Sequence, residues 1–367
     1  MNMIACSSKN IRLFYSRDKN ARTKSIYNTR GINGYDVIKA IDMLEEKGYL
    51  VNHIAPRQYG TSGDKMSSWI EPTDFFKSEF MTQEELLMRA DMAYCAAWLP
   101  IIMRNEKKEP VDYRADENTF AIEAVINRLN ETNAKFKFTD EHGEEFQNWY
   151  SRIFNNSNFQ EGGRFYKASV LNIPNKEKNR LRIKIDNEPV VEVDYTALHI
   201  FMLAEKLKCA DQLGDDPYML VENIDRTAVK LAVNIMFNCT SRLQAVQSIN
   251  SKMQEIGYKA HSGSQIVTAI FKAFPQLKDE FCNKNCTGLK LQNQDSWMTH
   301  YVANVMSTLG KPFLPVHDSG VVRAQDEALL IQLMCEAYNH TLKTDSIVHM
   351  KLSKIVDGQV VKIDVSC

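Results

Sequence analysis

Apolar residues recur at two spacings along this chain, and the switches between them mark out its elements. Val37, Ile38, Ile41, Leu44 and the aliphatic stem of Lys47 share one face of a helix, which Gly48 ends. Residues 49–54 then read as a strand, 57–65 as a polar, glycine-bearing turn, and 66–70 as the returning strand. A stripe through Leu86, Leu87, Ala90, Tyr94 and Ala97 predicts a helix over 82–98. Phe120, Ala124, Val125 and Leu129 predict another over 117–131. Further on, Val190, Val191 and Val193 form a short apolar run that stops at Asp194, after which Ala197, Leu198, Phe201, Met202 and Leu203 give a helical face. Over 313–322 two apolar arms flank His317-Asp318, as in a hairpin with polar residues at its tip. A helix over 327–338 and an apolar strand near 347–352 complete the pattern.

Asp194 therefore sits where a buried strand meets a helix, and Asp318 at the tip of a hairpin. A carboxylate is costly to bury without a partner. Two such acids at strand ends suggest one divalent-metal site. The chain of 367 residues is long enough for two or three domains, and its 44% hydrophobic and 25% charged content is ordinary for a globular protein. Neither a signal peptide nor an apolar run of bilayer-spanning length is visible, so the expectation is a soluble, cytoplasmic protein without a membrane partner.

A formal net charge of −1 decides nothing about nucleic acid, but its distribution is uneven. Seven basic residues against Asp18 alone lie between Lys9 and Arg30, and seven more against Glu177 alone lie between Gly162 and Lys184. Such patches bind phosphates even on a near-neutral molecule, although each also fits a solvated face. The eight cysteines are scattered, with Cys282 and Cys286 the only close pair, so buried free thiols are expected rather than a zinc knuckle or disulfides.

Helix, strand, basic turn, strand is the order of a winged helix, and Ala40 to Leu50 resembles the recognition helix of such domains. If residues 1–78 bind DNA, the helix faces the major groove while Arg57 and Lys65 touch the backbone. A wing used only for packing or protein contact is the alternative.

From Gly163 onward several ordered motifs resemble the family A DNA polymerases and, more loosely, the single-subunit RNA polymerases. Gly163-Arg164 and Leu171-Asn172-Ile173-Pro174 precede a basic run to Arg182. Asp194-Tyr195 looks like the first catalytic motif, and Val316-His317-Asp318-Ser319 like the third. Between them Asp225 reads as an N-cap to a helix carrying Arg226, Lys230, Asn234 and Asn238, spaced by four along one face. The resemblance covers roughly residues 150–355. It implies an α+β, right-hand polymerase with an antiparallel palm sheet and helical fingers and thumb. The segments would be a winged-helix-like module (1–78), a helical thumb-like or linker region (79–160), palm (161–224), fingers (225–300) and palm again (301–367).

By the same resemblance, Asp194, the Tyr195 carbonyl and Asp318 hold two Mg²⁺ ions, with Mn²⁺ as the alternative. Arg226 and Lys230 hold the incoming triphosphate, and Lys230 gives a proton to the departing pyrophosphate. Asn234 stands where the family has an aromatic or Met that stacks on the incoming base, and Asn238 where it has a Tyr near the template base and sugar, which implies weaker nucleotide binding, lower fidelity or a specialised substrate. His199 occupies the position that screens the sugar. Arg164, Arg180, Arg182, Gln292 (with Gln294 as the other choice) and His317 would contact primer–template. The implied activity is template-directed nucleotidyl transfer to a primer 3′ end. Its partners are nucleic acid, as primer–template or single-stranded template, nucleoside triphosphates, and replication or mobile-element proteins. Ser319 leans toward the RNA-making relatives, so a primase-type activity stays open. So does a non-catalytic nucleic-acid-binding initiator or regulator.

Overall fold

The computed structural model describes residues 13–15, 34–54, 68–76, 99–173, 179–284 and 287–367. The chain divides into two units, Met1–Leu99 with Asp112–Glu117, and Pro100–Val111 with Asn118–Cys367.

The first unit contains β1 (Leu13–Tyr15), α1 (Gly34–Glu46), β2 (Leu50–His53) and β3 (Ser68–Pro72), the strands forming an antiparallel sheet in the order β1-β3-β2. Ile38 and Ile41 bury against Leu50 and Ile70, with Val37 and Leu44 packed beside them, which is the stripe read from the sequence. Gly48, at φ +74°, lets the chain turn back, so that its N–H bonds to the Glu45 carbonyl and that of Tyr49 to the Leu44 carbonyl. The basic turn with Arg57 and Lys65, and the helix expected over 82–98, lie outside the described residues.

In the second unit, β4 (Ile101–Arg104), β5 (Pro110–Val111), β7 (Ser151–Phe154) and β8 (Gly162–Tyr166) form a sheet ordered β5-β4-β7-β8, with β4 parallel to β7. The region expected to be helical, 79–160, thus holds only α2 (Glu117–Asn133) as a helix among its described residues, beside β4, β5, β7 and β6 (Phe138–Thr139). Helix α2 faces inward through Ile122, Val125, Ile126 and Leu129, leaving Phe120 exposed, contrary to the stripe read from the sequence.

The larger sheet is built on β10 (Glu188–Tyr195). It runs β11 (Leu314–Val316), β12 (Ser319–Arg323), β10, β13 (His349–Val356), β14 (Gln359–Ser366), all antiparallel, with β9 (Lys184–Ile185) joining β10 to β6. Helices α3 (Leu198–Lys206), α4 (Arg226–Asn238), α5 (Arg242–Glu255), α6 (Gly263–Ala273), α7 (Thr287–Thr308) and α8 (Glu327–Leu342) complete the unit. Helix α7 packs on α8 and β8, and α8 packs on β12 and β10, so the sheet's core strands are covered. Asn133, buried at the end of α2, bonds both backbone groups of Phe313 and so fixes where β11 begins. Cys335 and Cys367 form a disulfide, which departs from the expectation of free thiols; Cys209, Cys239 and Cys282 are free. Among the described residues, no helix is long and apolar enough to cross a membrane.

Candidate functional site

β10 ends at Asp194-Tyr195, and the two-residue turn His317-Asp318 joins β11 to β12. Register sets Asp194 directly across from Ser319, and Val193 from Gly320. Directly opposed Cα atoms in such a pair lie about 4.5–5.5 Å apart. Asp318, next to Ser319, is therefore a near neighbour of Asp194. The approach needs a small residue at 320, where a Cβ would come within 2.6 Å of the Phe313 ring. His317, at φ +57°, makes the tight turn. Both acids are half-buried. Tyr195 turns its ring inward, its hydroxyl donating to the Met334 carbonyl at 2.6 Å.

Both acids also act on one phenol. Burial raises the Tyr218 hydroxyl above its ordinary pKa, Asp318, Asp216 and Asp194 push it further, and Arg226 opposes them. The Arg226 guanidinium lies 5.4 Å from the Tyr218 ring centroid and donates through Nε to Asp216 at 2.5 Å. Asp225 caps α4 by accepting from the Thr227 and Ala228 N–H groups, as its sequence position implies. Val229, Val233 and Phe237 are buried, while Lys230, Asn234 and Asn238 form an exposed row. Asn238 Nδ2 donates to the Asn234 carbonyl at 2.8 Å. An open pocket of about 630 Å³ lies alongside, lined by Tyr218, Met219 and the residues from Val221 to Arg226.

A second cluster adjoins the hairpin tip. Gly162 and Gly163 both have positive φ, and a Cβ on Gly163 would stand 2.6 Å from Phe154 Cε1 and 3.0 Å from Ser296 Oγ. Two glycines thus let β8 press against α7. Arg164 then reaches Asp295, its Nε lying 3.0 and 3.1 Å from the two carboxylate oxygens, with Nη2 also bonded to Oδ2. His199 Nε2 lies 2.8 Å from that same Oδ2. Burial alone would raise Asp295, but Arg164 and His199 hold it below the usual carboxylate range. Behind this triad the buried Arg152 donates to Gly163 and Ser296, with its guanidinium 4.5 Å from the Trp297 ring centroid.

No family model matches the sequence, and no curated protein matches it. The chain is similar to a DNA polymerase domain. That solved structure is the POL domain of Pol1 from M. smegmatis in complex with DNA primer-template and dNTP. Identity is 13% and the TM-score 0.37, over 64% of this chain and 50% of that one. The chain thus spans half the length of the polymerase chain that it matches.

The remaining residues singled out from the sequence fall in different surroundings. Arg180, expected at a phosphate, is instead buried and bonded to the buried Glu192 at 2.5 Å, because the short 3-10 turn Asn179–Arg182 packs on β10. Arg182 is exposed, 3.6 Å from Glu141. Gln292 is half-buried and Gln294 exposed on α7. The His317 carbonyl accepts from Thr299 Oγ1 at 3.0 Å, and its ring meets Tyr166 at 5.9 Å between centroids. Burial lowers the His317 pKa, as does Arg164. Asp295 received no role from the sequence; the only hint was an acid one helical turn from Gln292 in an otherwise polar stretch. Among the described residues, no three His, Cys, Asp or Glu side chains come together as a metal cluster. An ion here would rest on two carboxylates and on backbone and substrate oxygens.

Proposed function

We propose that the chain is a template-directed nucleotidyltransferase of the right-hand polymerase type, extending a primer 3′ end with nucleoside triphosphates. The register of β10 on β12 supports this above all, since it makes neighbours of Asp194 and Asp318 beside the basic face of α4. In this reading, residues 161–224 and 301–367 form the palm, 225–300 the fingers and 79–160 the thumb-like or linker region. Residues 1–78 are the winged-helix-like grip on nucleic acid.

The donor set fits a hard divalent cation. Asp194, Asp318 and the Tyr195 carbonyl offer oxygen ligands of the kind Mg²⁺ takes. Half-buried Asp318 forms no ion pair with a described residue. When bound, such ions lower the pKa of the attacking 3′-oxygen and neutralise charge on the phosphoryl group. The chain's own groups supply the rest. Arg226 and Lys230 lie one turn apart and offer positive charge to the triphosphate. The triphosphate competes with Asp216 for the Arg226 fork. Lys230, exposed and next along the row, is the proton donor to the leaving pyrophosphate. His199, held by Asp295 and edge-on to Phe237 at 6.3 Å, borders the sugar.

Primer extension with separate dNTP and NTP pools tests the proposal on the wild type, D194N and D318N. The expected result is extension that both substitutions abolish while the melting temperature is kept. Full extension by either variant overturns it. A second reading, a binder without turnover, is favoured by Asn234 and Asn238, neither of which offers a ring to a base, the Asn238 amide bonding the Asn234 carbonyl instead. It predicts nucleic-acid binding with no extension from either pool.

A further inference from the structure

Asp295 is fully buried on α7, yet the reaction outlined above gives it no task beyond holding His199. Two elements bracket the turn that carries Asp318. Along β8, Arg164 and Tyr166 face the same side, and Tyr166 touches the His317 ring. Along α7, Asp295 and Thr299 lie one turn apart, and Thr299 bonds the His317 carbonyl. Tyr166 and Thr299 thus hold the residue before Asp318, while Arg164 and Asp295 hold each other one step along each element. Arg164 therefore carries its charge beside Asp318, whose field is among the causes that raise the guanidinium pKa against burial.

An arginine in that place competes with a metal. Its planar fork fits a carboxylate bidentately and occupies the lone pairs that a cation needs. We propose that Asp295 is a positioning residue that holds Arg164 away from Asp318 and so keeps the Asp318 carboxylate open to a divalent cation. This rests on the reading of Asp194 and Asp318 as metal ligands. His199 completes the arrangement. An arginine-paired aspartate is an acceptor only, so His199 donates through Nε2 to Oδ2, and Asp295 stays oriented across both partners. With the negative charge at 295 gone, Asp318 is the carboxylate whose field still acts on Arg164.

Mn²⁺ binding, followed by electron paramagnetic resonance and by calorimetry without nucleotide, tests the idea. D295N keeps the side-chain volume and is expected to weaken Mn²⁺ binding by about 10- to 100-fold, the usual effect of groups that orient metal ligands. R164Q/D295N removes both charges together and is expected to restore binding to near the wild-type level, which damage to the fold would not do. R164Q alone is expected to bind Mn²⁺ at least as well as the wild type. Wild-type affinity in D295N, failure of the double variant to recover, or weaker binding in R164Q each overturns the proposal. D318N separates this from the reading beneath it: unchanged Mn²⁺ binding there removes the metal site itself. Loss in D318N with none in D295N removes only the role of Asp295.

Discussion

Arg180 and Glu192 offer a direct test of how the central sheet is built. Both side chains are almost wholly buried, Arg180 Nη2 donates to Glu192 Oε1 at 2.5 Å, and Ser319 Oγ donates to the same oxygen at 3.1 Å. Replacing Arg180 with Met takes the guanidinium away from a buried carboxylate. Breaking a buried pair from one side costs about 3–5 kcal/mol. For a unit of this size each kcal/mol lowers Tm by about 2–4 °C, so the fall is roughly 6–20 °C. R180M/E192L removes both charges, and such exchanges are neutral or stabilising by about 1–4 kcal/mol. In that background the Ser319 hydroxyl gives its one proton to the Val316 carbonyl, 3.0 Å away. Urea denaturation of the wild type, both single variants and the double variant gives the coupling energy. A coupling below about 1 kcal/mol, the value for exposed pairs, would refute the buried placement. Binding to duplex DNA across a salt series adds a second readout. An arginine on a phosphate contributes about one unit to the salt slope. R180M is expected to keep the wild-type slope, whereas exposed Arg182 is expected to lose part of it when changed to Met.

Three further outcomes are expected. G163A places a Cβ 2.6 Å from Phe154 Cε1 at a left-handed φ, so urea unfolding should show a loss of about 2–4 kcal/mol from backbone strain and overpacking; under about 1 kcal/mol contradicts the close β8–α7 approach. Burial and the charges of Arg152 and Arg128 lower His300 to about 3, from 6.5. Below pH 6.5 the unfolded chain gains a proton that the folded chain refuses, so His300 costs stability progressively as the pH falls toward 3. H300Q should show a shallower fall in its urea midpoint over that window. K230A should slow single-turnover extension about 10²- to 10⁴-fold, the range for a lost proton donor, with primer–template affinity unchanged; an equal loss of that affinity would assign Lys230 to template binding.

The elements legible in the sequence were those with one clear period and a defined end. The α1 stripe closed by Gly48, the apolar β10 run ending at Asp194 and the 313–322 hairpin all appear in the fold as read. Others obeyed no single period. Ile101, Ile102 and Met103 are buried in succession, as are Ser151 to Phe154, so β4 and β7 show no alternation to separate a strand from a piece of helix. β14 failed for the opposite reason. Its Val360 and Ile363 are exposed, because β13 covers one edge of the strand and no core element buries its face among the described residues. Phe120 misled because it is a large apolar residue on the outward side of α2, where single exposed hydrophobics are ordinary.

At the site, the two acids were legible because each ends an apolar run, which is a local property. The cations were not, because their meaning depends on partners set by the tertiary fold. Arg164 finds its carboxylate 131 positions away on α7, and Arg180 finds its own on β10. Arg226 is met by Asp216 across the Tyr218 ring. All four arginines expected at phosphates thus already face a carboxylate within the protein, Arg182 only through the exposed contact to Glu141, and two of the four carboxylates are buried. A basic run measures a phosphate-binding footprint only after these partners are subtracted. The same subtraction underlies the role proposed for Asp295: where arginine and metal compete for one acid, a second acid that engages the arginine leaves the first open.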